Sequence, residues 1–217
     1  MQPRILDSRE ALKALRLSDA GKSRRIIAVS GPTCSGKTTF AKRLYELLAA
    51  ANTSAVIIPL DSYFRDFNDP QLPTNEAGRR LFDIPGAFWQ DQFVEAVKCL
   101  FAGHSIHLPF YDISRNKRLP WINPARFPAK VIIAEGLFAG MFLQQTSLPV
   151  FNVYMDTAWE VCMERRIDRD QHHLGVTAEV VESHFRQKIL PYWDQCEIQK
   201  KTADIIISMK GDDNHGR

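Results

Sequence analysis

Gly31-Pro32-Thr33-Cys34-Ser35-Gly36-Lys37-Thr38 fits the pattern G-x-x-x-x-G-K-[ST] at every fixed position. At average amino-acid usage, a chance match in a chain of 217 residues is about a 1-in-100 event. The run before it, Arg25–Ser30 (RIIAVS), is apolar and β-branched, as a strand buried on both faces requires. The run after it, Lys37–Ala51, places Phe40, Leu44, Leu47 and Leu48 at helical spacing. Strand, glycine-rich turn and helix in that order build an anion nest, with backbone N–H groups turned inward at the positive end of the helix. Lys37 adds a mobile charge at the terminal phosphates, and the Thr38 hydroxyl is a hard oxygen suited to Mg²⁺. With Thr39 behind them, these eight residues predict a nucleoside triphosphate site.

Working outward, further buried strands are expected at Ala55–Leu60, Lys130–Ala134, Val150–Met155 and Ala203–Ser208. Helices are expected at residues 8–17, 88–101, 157–170 and 177–196. Strands alternating with helices predict an α/β fold of three layers, a mostly parallel sheet between helices, with a helical lid. One domain over 1–217 is the economical reading, with an N-terminal helix extension over 1–24 and a frayed tail over 210–217. Residues 61–86 and 109–129 are proline-rich and aromatic without clean periodicity, and read as irregular loops on the substrate side.

Composition excludes several classes. The chain is 45% hydrophobic and 24% charged, which rules out a wholly disordered chain. Its formal net charge of +3 is too small to argue for nucleic acid or an anionic membrane. The long uncharged stretch from Gly136 to Met155 is broken by Gln144, Gln145, Pro149 and Asn152, so it reads as helix, turn and strand. Cys34, Cys99, Cys162 and Cys196 have no metal-like spacing, and reduced thiols in a cytoplasm are expected.

A triphosphate site of this type needs a carboxylate at the end of a neighbouring strand. Val131-Ile132-Ile133-Ala134-Glu135-Gly136 supplies one, placing Glu135 within reach of Mg²⁺. No guanine-reading Asn-Lys-x-Asp is present, since Asn116-Lys117 is followed by Arg118-Leu119. A chain this short also leaves little room for a motor's accessory domains. A small-molecule kinase remains, and it needs a base and cations around the moving phosphoryl group. Asp61, at the end of the second strand, is the base candidate; capping a turn with Ser62 is its structural alternative. Arg165 and Arg169 share a helix face within 165–178, where a lid would exclude water.

Taken together these residues resemble the uridine kinase family, within the phosphoribulokinase and uridine kinase-like P-loop enzymes. The resemblance runs from about Arg25 to Ser208. It rests on Gly31–Thr39, Asp61-Ser62-Tyr63-Phe64, Phe82–Phe88, Pro109-Phe110-Tyr111-Asp112, Glu135-Gly136-Leu137, Met155-Asp156-Thr157 and Arg165–Asp170. It implies ATP and Mg²⁺, with Lys37, Asp61 and Arg169 catalytic and Thr38, Glu135 and Asp61 around the metal. It also implies that Asp83 takes ribose hydroxyls with help from Arg166, and that Tyr111 lies near a base. The implied acceptor is the 5′-hydroxyl of a nucleoside, uridine or cytidine first. Pantothenate, nicotinamide riboside or a sugar phosphate is the alternative, as is a nucleotide-binding regulatory protein without turnover. A homo-oligomer is compatible with the sequence.

The chain departs from the family at two places. The lid lacks its Gly-Arg pair and has His172-His173-Leu174-Gly175-Val176 instead. After Tyr111-Asp112, where the family has an aromatic and a histidine that read the pyrimidine, this chain has Ile113, Ser114, Arg115 and Asn116. Weaker base discrimination, or a diol with a different head group, is therefore expected.

Overall fold

In a computed structural model, described for residues 3–17 and 24–208, six strands form one sheet. In chain order they are β1 (Arg4–Leu6), β2 (Arg25–Ser30), β3 (Ala55–Pro59), β6 (Val131–Glu135), β7 (Val150–Asp156) and β8 (Ile205–Ser208). Their spatial order is β1-β8-β7-β2-β6-β3, and every pairing is parallel. The strand before the phosphate-binding turn thus lies mid-sheet, between β6 and β7. Both of its faces are buried, which is why it reads as a continuous apolar run.

Alternation along β2 divides the core. Ile26 and Ala28 join one cluster with Phe93, Val97, Phe138 and Phe142, from α3 (Gln90–Ala102), α4 (Ala139–Gln144) and the turn before α4. Ile27 and Val29 join another with Leu12, Phe40 and Leu44, from α1 (Ser8–Leu17) and α2 (Lys37–Ala50). Each fully buried Phe or Leu contributes about 1.5–3 kcal/mol over its exposed state. A third, smaller cluster of Cys162, Phe185 and Ile189 joins α5 (Trp159–Leu174) to α6 (Ala178–Lys188). A short α7 (Trp193–Glu197) follows. The four cysteines are free thiols, and no described helix is long and apolar enough to cross a membrane.

Two sequence expectations are corrected. The N-terminal extension is not helix alone. Arg4–Leu6 forms β1, in parallel register with Ile205–Ile207, and three residues are too few to show a period. Residues 109–129 are not an irregular loop either. Most of them belong to an antiparallel hairpin, β4 (Ile106–Asp112) with β5 (Lys117–Arg126), a two-stranded sheet apart from the main one. Its prolines hide the alternation, and the register shifts on both sides of Pro109. Residues 61–86 are largely irregular, as expected, but they are anchored through buried Leu72, Leu81 and Ile84. The expected frayed tail, 210–217, lies outside the described residues.

Candidate active site

The phosphate-binding turn has the backbone its motif requires. Gly31 has φ +147°, and a Cβ there would meet the Met155 carbonyl oxygen at 2.7 Å. Gly36, at φ 96°, caps α2 without a side-chain hydrogen bond, leaving first-turn N–H groups available to an anion. The Thr157 hydroxyl donates to the Ser35 carbonyl at 3.2 Å and ties the turn to the start of α5. Lys37 is buried, and its Nζ donates to the Pro32 carbonyl at 2.5 Å. Pro32 and Thr33 are buried beside it, while Thr38 and Thr39 are exposed. Together with Cys34, most of these residues border a cleft of about 440 Å³.

Two strand ends and the start of α2 bring the oxygens together. Glu135 ends β6, and its Oε2 accepts the Thr38 hydroxyl at 3.2 Å. Asp61 stands two residues past the end of β3, in the 3₁₀ turn Leu60–Tyr63, and both acids line the same cleft. Burial raises the Asp61 pKa above the carboxylate range; the charge of Lys37 opposes this, and Asp83 adds to it. Burial, then the neighbouring Asp61, pushes Glu135 up to about 7, against the opposing charge of Lys37. Asp61 keeps some exposure as a residue, yet its Oδ1 is enclosed with no hydrogen-bond partner. An enclosed carboxylate oxygen beside a second carboxylate and a hydroxyl is a hard-oxygen set. It fits Mg²⁺, which takes one or two carboxylates and fills its remaining positions with water and phosphate. No cluster of three or more His, Cys, Asp or Glu metal ligands occurs among the described residues.

The arginines of α5 divide between two tasks. Arg165 and Arg169 line the cleft, and Arg165 Nη1 reaches the Cys34 carbonyl at 3.5 Å. Arg169 is held by Asp170 at 2.7 Å. Arg166 turns the other way. Its Nη1 donates to the Thr33 hydroxyl at 3.0 Å and to Asp83 at 3.3 Å. Asp83 is thereby joined to the phosphate-binding turn, although 83 residues separate it from Arg166.

Tyr111 is not among the residues that line this cleft. Its ring tilts over Phe64 with centroids 5.4 Å apart, and its hydroxyl donates to the Arg65 carbonyl. The departures at Ile113–Asn116 form the hairpin turn, where the Asp112 carboxylate accepts the Ser114 and Arg115 backbone N–H groups. Arg115 is largely exposed and pairs with Asp112.

Sequence reasoning missed His184 and gave Thr157, quoted within Met155-Asp156-Thr157, no role. His184 on α6 sits among Arg166, Lys188, Asp83 and Asp170, and burial followed by Arg166 and Lys188 lowers its pKa to about 4. On its own helix it reads as one polar residue among several, so nothing local marks it.

A family model, the phosphoribulokinase/uridine kinase family, matches residues 26–214. The chain belongs to that family. A uridine kinase of Aeromonas hydrophila is 30% identical over 198 residues, covering 90% of this chain and 91% of that one. A uridine kinase of Halobacterium salinarum is 32% identical over 182 residues, covering 83% and 78%. Among solved structures, a protein described as a fructose transport system kinase from Silicibacter superposes with TM-score 0.73 at 18% identity, covering 93% and 98%. D-glycerate 3-kinase from Cryptococcus neoformans superposes with TM-score 0.56 at 17% identity, covering 93% of each chain. These structural likenesses carry the fold, an α/β P-loop kinase fold.

Proposed function

We propose that this family member transfers the terminal phosphoryl group of ATP to a hydroxyl of a small molecule, a nucleoside 5′-hydroxyl first. The observation that carries this reading is Asp61, which lines a cleft with Lys37, Thr38, Glu135 and Arg169 while its Oδ1 is enclosed without a hydrogen-bond partner. A protein that only bound nucleotide would have no use for a desolvated carboxylate there. Asp61 orients the acceptor hydroxyl and takes its proton as the new O–P bond forms and the bond to the leaving diphosphate breaks. Lys37 and Arg169 stabilise the charge on the transferred group. Thr38, Glu135 and Asp61 would hold Mg²⁺, which when bound neutralises phosphate charge. Asp83 offers two acceptor oxygens to a vicinal diol, with Arg166 holding it in place.

Uridine and cytidine lead because the curated relatives carry the name uridine kinase. A second reading, a non-nucleoside diol such as a pentose phosphate, is favoured by the hairpin turn at Ile113–Asn116, which offers no base-reading histidine. ADP release measured across nucleosides, vitamins and sugar phosphates separates the two. A preference for uridine over a purine nucleoside above about 10³-fold in kcat/KM sinks the second. Release with no acceptor in a broad panel counts against transfer itself.

A further inference from the structure

Ser8, far from every motif in the sequence, faces the same cleft as the phosphate-binding turn. Its position follows from the sheet. β1 runs parallel to β8 with Leu6 opposite Ile207, so the chain leaving β1 emerges at the carboxyl edge, where open α/β sheets bind their ligands. α1 begins at that edge. A reciprocal cap fixes its first turn: the Glu10 N–H donates to Asp7 Oδ1 at 2.8 Å, and the Asp7 N–H to Glu10 Oε2 at 3.3 Å. Buried Ala11, Leu12 and Leu15 then seat the helix against Phe40 and Leu44 of α2. Ser8 is held in place by packing and capping together.

On α2, Thr39 and Arg43 lie one turn apart and both line the cleft. From Thr38 to Arg43 the helix rises about 7.5 Å, so the cleft continues well past the end that holds terminal phosphates. Asp61 and Glu135 occupy the acceptor side, which leaves the Ser8–Arg43 end for the rest of the nucleotide. A hydroxyl that both donates and accepts suits ribose hydroxyls. A guanidinium stacks on a purine face or pairs with the phosphate nearest the sugar.

We propose that the start of α1, set at this edge by β1, forms with α2 the nucleoside-side wall of the ATP site, with Ser8 of α1 and Arg43 of α2 as its contacts. This rests on the reading of the chain as an ATP-dependent kinase. The test is calorimetric binding, on the full chain with Mg²⁺, of a non-hydrolysable ATP analogue and of inorganic tripolyphosphate. Ser8→Trp, which fills the cleft, should weaken the analogue about tenfold or more and leave tripolyphosphate within about twofold. Ser8→Ala and Arg43→Ala should each weaken the analogue about three- to tenfold, and weaken tripolyphosphate less. If Ser8→Trp does not fold, the two alanine variants decide. Wild-type analogue affinity in both alanine variants overturns the proposal, as does equal loss for the two ligands. A wild type that binds tripolyphosphate as tightly as the analogue also overturns it, with the kinase reading intact. A wild type that binds neither refutes the kinase reading instead.

Discussion

Arg166 of α5 lies 3.3 Å from the carboxylate of Asp83, with side chains only 15% and 12% exposed. The same guanidinium also reaches Thr33 in the phosphate-binding turn and Asp170 one helical turn on. A pair so desolvated is expensive to break on one side. If Asp83 grips the acceptor as proposed, Asp83→Asn should raise the acceptor KM by about tenfold or more, while the ATP KM changes little. Initial rates with each substrate varied in turn check this; an unchanged acceptor KM removes Asp83 from the acceptor site.

Asp61 and Lys37 share a cleft but should fail differently. Asp61→Asn keeps size and loses the proton acceptor, so nucleotide affinity holds while turnover falls about 10²–10⁴-fold. Lys37→Ala removes a buried cation and should depress turnover for every acceptor by a similar factor. Comparing nucleotide binding with single-turnover rates distinguishes them. Near-normal turnover in Asp61→Asn rules it out as the base.

Gly136 follows Glu135 at φ +155°, and a Cβ there would meet Leu60 Cβ at 2.3 Å. The two segments cannot separate without moving Leu60 and hence its neighbour Asp61. Gly136→Ala should cost about 2–4 kcal/mol of stability and lower turnover beyond what unfolding explains. Thermal melting alongside kcat at a temperature where the variant is fully folded tests both halves.

His184 supplies a pH dependence. Its folded pKa of about 4 lies below the ordinary histidine value of 6.5, because burial and then Arg166 and Lys188 disfavour the charged ring. Asp83 and Asp170 oppose the shift without cancelling it. Between those two values the unfolded chain binds more protons, so stability should fall as pH drops from about 6.5 towards 4. After discounting for the water that reaches this half-buried ring, the loss is on the order of 1–2 kcal/mol. Denaturant midpoints across that range should flatten in His184→Gln.

The strand, turn and helix from Arg25 to Ala50 are legible in the sequence because period, glycines and lysine are all local signals. Glu135 and Asp61 are legible for the same reason, one ending an apolar strand and the other standing two residues past one. The helical spacing of Arg165 and Arg169 also foretells that they share the cleft. What spacing could not show is the fate of Arg166, whose partners Thr33 and Asp83 lie on two other segments. Only tertiary packing brings them together. β1 is too short to carry a pattern, and the β4–β5 hairpin conceals its alternation behind prolines.

The hairpin of β4 and β5 shares no strand with the six-stranded sheet. The phosphate machinery hangs from strand ends of that sheet, whereas Tyr111 and the Ile113–Asn116 turn belong to the hairpin. Changes at Tyr111 should couple to the segment after Asp61 through Phe64 and Arg65, whereas changes at the exposed Ile113–Arg115 tip should combine almost additively with changes at the strand ends. A laboratory seeking a new acceptor range has the exposed tip Ile113–Arg115 to randomise, with the residues that tie the hairpin to Phe64–Phe67 left as they stand.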